Sequence, residues 1–377
     1  MGFLIDNNLT LNGVEIAKRE RISSGLGLID LTESNPTHCG LIFPKDILIS
    51  STAKYLETRS YNPNASGLPL TREAIAEYYS ERGENIKPEQ IVVTASTSEA
   101  YRLLFSLLCE PKENLLAPDV TYPLFEYFAL DQRINLHNYR MLEARDWDID
   151  PISIDLALDK LTRGILLVSP HNPTGKIQRE RINFLAELKL PLIVDEVFAE
   201  FVHDGGTTPV LGTLYTELPV FHLNGISKMF ALPDLKLGWI VMNEKAYDLY
   251  GERLEFLNDT YLSASSLTQA ILPILFQEGK TFQNEMISRV KENVFFVKSK
   301  LEEFGFPEIK IPQGGTFILP KLPDGIDEEK FVIKLLHHGV SVHPGYFYNI
   351  PNNHIMISCL PTRDVIEEGL EIMRKSL

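Results

Sequence analysis

Leu192-Ile193-Val194-Asp195 is three apolar residues closed by a carboxylate, and its reading decides the fold. Upstream stands a second continuous apolar run, Gly164-Ile165-Leu166-Leu167-Val168. A strand with one wet face alternates apolar and polar residues, whereas runs like these mark strands buried on both faces. Ile91-Val92-Val93-Thr94 and the short apolar Asn114-Leu115-Leu116-Ala117 lie further upstream, with a helix expected from Ser98 to Leu108 between them. Val220 to Leu223 and Gly238 to Met242 follow downstream. Strands alternating with helices imply an α/β fold, a mostly parallel sheet covered by helices.

The C-terminal part has a different texture. A long amphipathic stretch runs from about Phe282 to Phe304. Short strands are expected at Glu308 to Ile311, Gly315 to Leu319, Ser341 to His343 and Ile355 to Ser358, and helices at Asp327 to His338 and Arg363 to Lys375. This pattern reads as a smaller α+β domain. No internal repeat or low-complexity linker is visible.

A chain of 377 residues can bury a large core and is long enough for two domains. With 44% hydrophobic and 23% charged residues it has the composition of a soluble globular protein. Its net charge of -15 argues against nucleic acid or an anionic membrane as partner. Cys39, Cys109 and Cys359 are widely spaced and odd in number, so neither a disulfide framework nor a zinc site is expected, and a reducing, cytoplasmic setting is. The start, Met1 to Asp6, is too short an apolar run for a signal peptide, and no segment has the length to span a bilayer. The sequons at Asn8, Asn64 and Asn258 therefore read as chance matches.

In open sheets of this kind, ligands bind beyond the carboxyl ends of the strands. Ser96 to Ser98, Asn172, Asp195 and Lys228 all fall at or just after expected strand ends. A lysine can form a Schiff base, an aspartate can hold a pyridinium proton, and an asparagine can bond a ring hydroxyl. That set suits pyridoxal phosphate. Each residue alone is unremarkable, since a loop lysine is ordinarily a solvated charge and Asn172-Pro173-Thr174-Gly175 has the form of a common turn. Gly25-Leu26-Gly27 lacks the third glycine of a dinucleotide fingerprint, and Thr174-Gly175-Lys176 lacks the upstream glycine of a P-loop. His337, His338 and His343 fit a helix end better than a metal site.

In order and spacing the chain resembles the class I/II pyridoxal-phosphate-dependent aminotransferases, which have the aspartate aminotransferase fold. The likeness runs from about Leu31 to the C-terminus. It is carried by Tyr61-Asn62-Pro63 with Gly67 and Arg72-Glu73-Ala74, by Thr94 to Ala100, and by Thr121-Tyr122-Pro123. Asn172 to Gly175, the Asp195 strand, Ser227-Lys228 and His343-Pro344-Gly345 complete it. The resemblance implies a large cofactor-binding domain over 46–280 and a small domain from 1–45 and 281–377. It implies that Lys228 carries the cofactor and moves the proton, that Asp195 keeps the pyridine nitrogen protonated, and that Asn172 bonds the ring hydroxyl. Tyr122 would stack on the ring. Ser96, Thr97 and Ser98 would meet the phosphate at a helix start, with Ser227 and Lys236. Tyr61 would reach that phosphate from a second copy, which implies a homodimer. The substrates implied are an amino acid or amine and a keto acid.

Four positions depart from the family pattern. Phe198 stands where a tyrosine is usual, Lys236 where an arginine is usual, and Ser34 where a glycine is usual. Met356 stands where the family places the arginine that clamps the substrate carboxylate, and a thioether cannot hold a carboxylate. The clamp is then expected from His354, His38 or Arg363, or the substrate lacks a free carboxylate. Other reactions of the same cofactor (β-elimination, decarboxylation or oxidation) and a cofactor-binding protein with little turnover are the alternatives.

Overall fold

The computed structural model describes residues 10–262, 264–351 and 353–377. Its strands in chain order are β1 (Ile29–Asp30), β2 (Ile91–Thr94), β3 (Asn114–Pro118), β4 (Asn135–Tyr139), β5 (Met141–Leu142), β6 (Asp148–Ile149) and β7 (Thr162–Val168). They continue with β8 (Leu192–Asp195), β9 (Val220–Gly225), β10 (Gly238–Met242), β11 (Phe317–Ile318), β12 (Val340–Ser341), β13 (His343–Pro344) and β14 (Ile355–Ser358). Seven of them form the main sheet in the order β2-β10-β9-β8-β7-β3-β4. The pairs from β9 to β4 are parallel, and β10 runs antiparallel to both of its neighbours. The α/β expectation therefore holds. All the residues of β2, β3, β8, β9 and β10 are buried, as their apolar runs required.

Helices cover the sheet. The helix Thr97–Leu108 starts where Ser96 accepts a hydrogen bond from the Glu99 N–H at 3.2 Å, while the Glu99 carboxylate reaches back to the Ala95 N–H. That reciprocal arrangement satisfies donors that a helix start otherwise leaves bare. Its apolar stripe, including Ala100, Leu103, Leu104 and Phe105, is buried. The helix Lys280–Glu303 buries Phe282, Met286, Val290, Val294, Val297 and Leu301, a stripe at helical spacing.

Beyond the main sheet, β11, β14 and β13 form a three-stranded antiparallel sheet. The N-terminal β1 pairs in parallel with β12 near the other end of the chain. One buried cluster continues from Trp239 of the main sheet to Leu335 and Met373, so the two parts share a core.

Two expectations change, and one strand of the main sheet was not foreseen. Glu308 to Ile311 is not a strand: among the described residues no strand pairs with it, and Pro307 and Pro312, which lack N–H donors, bracket it. The backbone of Ile309 is satisfied instead by the side chains of Lys298 and Glu302. The Ser341 to His343 strand is two strands, β12 and β13, each in a different sheet. The edge strand β4 went unforeseen because Asn135, His137 and Asn138 give it no apolar run.

Met1 to Asp6 and the Asn8 sequon lie outside the described residues. Asn258 is buried, and its amide donates to the carbonyls of Ala65 and Val93, so that sequon is a chance match. Cys39, Cys109 and Cys359 are free and buried. Among the described residues no helix is long and apolar enough to cross a membrane.

Candidate active site

The carboxyl ends of β2, β3, β7, β8 and β9 point the same way, since these strands share a direction in the main sheet. Beyond them lies a cavity of about 420 Å³. At this edge β10 begins, and Gly238 sits opposite both Thr94 and Gly225. A Cβ on Gly238 would come within 2.7 Å of the Ser96 carbonyl carbon and 2.8 Å of the Thr97 nitrogen. Only glycine lets the loop that starts the Thr97–Leu108 helix close down on the sheet.

Lys228 follows β9 in a single helical turn, Ile226–Met229. Ile226 and Met229 are buried and anchor that turn, while Ser227 and Lys228 line the cavity. Burial lowers the Lys228 ammonium from its usual range, partly opposed by the Asp195 charge. Its Nζ lies 6.0 Å from the centre of the Phe198 ring.

Asp195 ends β8 and is buried. One carboxylate oxygen accepts from the Val197 N–H at 2.9 Å and the other from the Tyr101 hydroxyl at 2.5 Å. Burial nevertheless pushes its carboxyl up to about 6. Asn172 follows β7 and turns toward the same space, and its Oδ1 is buried with no hydrogen-bond partner among the described residues. An unpaired buried acceptor next to a lysine and a carboxylate marks a place where a polar ligand belongs.

The expected residues separate into two groups. Thr97, Ser98, Tyr122, Asn172, Asp195, Ser227 and Lys228 line one cavity, as do Ser34, Phe198 and Met356. Ser96 caps the helix beside it, whereas Lys236 is exposed outside its lining and Tyr61 is 75% exposed. The three candidates for a carboxylate clamp are elsewhere. His354 pairs with Glu143 at 3.1 Å, and the Arg363 guanidinium stacks on Phe296 at 4.1 Å. His38 is exposed and pairs with Glu33. None of the three lines the cavity.

Sequence reasoning missed Tyr101. It lies one turn after Thr97 on the buried face of its helix, where an aromatic residue reads as ordinary core. The spacing from Thr97, at a helix start facing the site, was the available signal. It also missed Phe317 and Tyr348, which come from distant segments to the opposite wall. Among the described residues no group of three or more His, Cys, Asp and Glu could hold a metal ion.

The profile of the family described as aminotransferase class I and II matches residues 29–373. A tyrosine aminotransferase of Dictyostelium discoideum is 26% identical over 88% of this chain and 83% of its own length. A (5-formylfuran-3-yl)methyl phosphate transaminase of Methanocaldococcus jannaschii is 25% identical over 89% of this chain and 88% of its own. In fold, the alanine aminotransferase of Pyrococcus furiosus superposes with a TM-score of 0.90 at 24% identity, covering 100% of this chain and 98% of that one.

Proposed function

The chain belongs to the aminotransferase class I and II family and is a pyridoxal-phosphate-dependent transaminase, and we propose that Lys228 and Asp195 carry its reaction in the cavity described above. The observation that supports this most is their shared burial: a lysine and a carboxylate enclosed together, beside an unpaired asparagine oxygen. The cofactor fits that donor set. When bound, it supplies a carbonyl that an amine can condense with and a ring that accepts electrons.

The residues divide the work. Lys228 holds the cofactor and moves a proton at Nζ. Its burial favours the neutral amine, the form that can act as nucleophile and base. Asp195 presents its carboxylate to the ring nitrogen, steadied by the Tyr101 hydroxyl and the Val197 N–H. The free Asn172 Oδ1 can accept a hydrogen bond from the ring hydroxyl. Tyr122 would lie against the ring, and Thr97, Ser98 and Ser227 at the helix start would hold the phosphate. Ser96 shapes that start, and Lys236 and a partner copy's counterpart of Tyr61 would close over the phosphate.

That last role makes the protein a homodimer, which is supported by the 75% exposure of Tyr61 and the 78% exposure of Phe256 in the single chain. The large domain is placed at 46–280 and the small domain at 1–45 and 281–377, as the β1–β12 pairing supports. Free cysteines support a cytoplasmic site. The substrates are an amino acid or amine and a carbonyl acceptor. A relative named for a formylfuran supports aldehydes among the latter.

Borohydride reduction of the holoenzyme followed by peptide mapping tests the assignment. The adduct is expected on Lys228, and an adduct on Lys176 or Lys236 instead would overturn it.

A further inference from the structure

Within one chain, the described lining of the cavity around Lys228 holds almost no charge. Among its described lining residues Lys228 is the one Lys or Arg, and Asp195 is the one Asp or Glu. His343 also faces it, but burial lowers that imidazole to about 4, and its Nδ1 sits 3.0 Å from the Tyr348 hydroxyl. At neutral pH it therefore brings no positive charge.

The wall opposite the main sheet is mostly apolar. Residues directly opposed in an antiparallel pair share a face. His343 faces Met356 across β13 and β14, and Phe317 faces Ser358 across β11 and β14. Because Met356 and Ser358 alternate onto the same face of β14, Phe317, Met356 and His343 form one surface toward the cavity. Phe198 and Tyr348 extend it.

An α-amino acid whose nitrogen reaches Lys228 would have to bury its carboxylate in this space. An ionised carboxylate taken out of water without a cation is strongly disfavoured. Resting on the transaminase reading of the same site, we propose that the amino donor is a primary amine without an α-carboxylate, bearing an apolar, aromatic group that packs on Phe317, Phe198 and Met356. The amine carbon is oxidised to an aldehyde, and the carbon of a carbonyl acceptor is reduced to an amine. The nitrogen and two electrons pass between them. The proton leaving the amine carbon is taken by the Lys228 amine, and a proton is returned to the acceptor carbon.

The test uses matched donors that differ only by the carboxylate, phenethylamine against L-phenylalanine, with the holoenzyme in single-turnover mixing. The amine is expected to show the higher specificity constant by about tenfold to hundredfold, the range set by one missing charge-assisted contact. Met356→Arg should narrow or reverse that ratio. It should also bind the non-reacting acid 3-phenylpropanoate at least tenfold tighter than wild type by calorimetry. If wild type converts phenylalanine faster than phenethylamine, or binds 3-phenylpropanoate as tightly as the variant does, the proposal is wrong. The wild-type comparison stands even if the variant fails to fold. A borohydride adduct on Lys228 with the wrong donor preference defeats this proposal alone, whereas no adduct on Lys228 defeats the site assignment beneath it.

Discussion

Asp195 and Glu196 follow one another at the end of β8, both buried, and the fold surrounds them with opposite chemistry. Asp195 receives two neutral donors, Tyr101 and Val197, and its carboxyl rises to about 6. Around Glu196 burial also pushes upward, but Arg82 at 2.7 Å and His222 at 2.7 Å hold the carboxyl down at about 2. The Tyr79 hydroxyl donates to it as well, at 3.1 Å. His222 accepts the Gly212 N–H on Nε2, so its proton sits on Nδ1 and points at Glu196. One carboxylate is saturated and the other is left short of a cation. The difference separates the two adjacent acids by their bonding: the one that faces the cavity has no cation, and the one that faces the core is complete.

The largest effect expected from this contrast is on catalysis. Lys228→Ala should lower turnover by roughly 10²–10⁴-fold, the usual scale for removing a positioned proton carrier. The apoprotein should melt no earlier than wild type, because a buried amine with a lowered pKa is removed. Steady-state rates and a thermal melt of the same preparation check both halves. A variant that unfolds early but turns over normally would erase the distinction between the two sides.

On the core side the loss should be in stability. Arg82→Met strips Glu196 of its cation while Glu196 stays buried, and breaking such a pair costs about 3–5 kcal/mol. Urea unfolding of the single variant and of Arg82→Met with Glu196→Gln measures it. The second change should recover part of the loss, because it removes the stranded charge. If Arg82→Met keeps its urea midpoint and instead loses turnover a hundredfold, Glu196 belongs to the catalytic side.

Asp195 itself gives the sharpest pH test. A carboxyl raised in the folded state from 3.8 to about 6 binds its proton more tightly there than in the unfolded chain. Stability from this group is therefore complete below pH 3.8 and is lost as the pH rises toward 6, by roughly 3 kcal/mol. Asp195→Asn mimics the protonated form. In the apoprotein it should stabilise by up to that amount at pH 7, with the gain fading as the pH falls to 4. A gain that is constant across pH would mean that the ionisation of Asp195 is not its source.

The sequence made one half of this contrast readable. Apolar runs located β7 and β8, and a strand end was the natural place to seek Asp195. The motif order then pointed to Lys228 and Asn172, which line the same cavity. Arg82 and His222 could not be found that way. Each is far from Glu196 in the chain, and only packing brings them together. Tyr101 was hidden because its ring packs in the core while its hydroxyl serves the site. The aromatic wall was hidden because Phe317 and Tyr348 come from separate short segments, although the motif order had already drawn Met356 to the site. Glu308 to Ile311 misled because β-favouring residues do not make a strand without a neighbour to pair with.

Phe198 offers the smallest effect and the finest resolution of the under-bonded side. It is buried, lines the cavity, and meets Phe201 and Phe317 edge to ring at 6.3 Å. Its ring gives no hydrogen bond to a polar group placed beside Lys228. Phe198→Tyr would add one donor there with little change of volume. A net hydrogen bond contributes about 1 kcal/mol, and 1.36 kcal/mol corresponds to one pKa unit. The donor favours the deprotonated, more negative state of the cofactor site. The pH midpoint of the holoenzyme's visible absorption should therefore fall by about half a unit to one unit. A titration of wild type and variant side by side reads this directly. A midpoint that stays or rises would show that position 198 does not face the cofactor's polar edge. The under-bonding would then be confined to Asp195 and Asn172 rather than shared around the cavity.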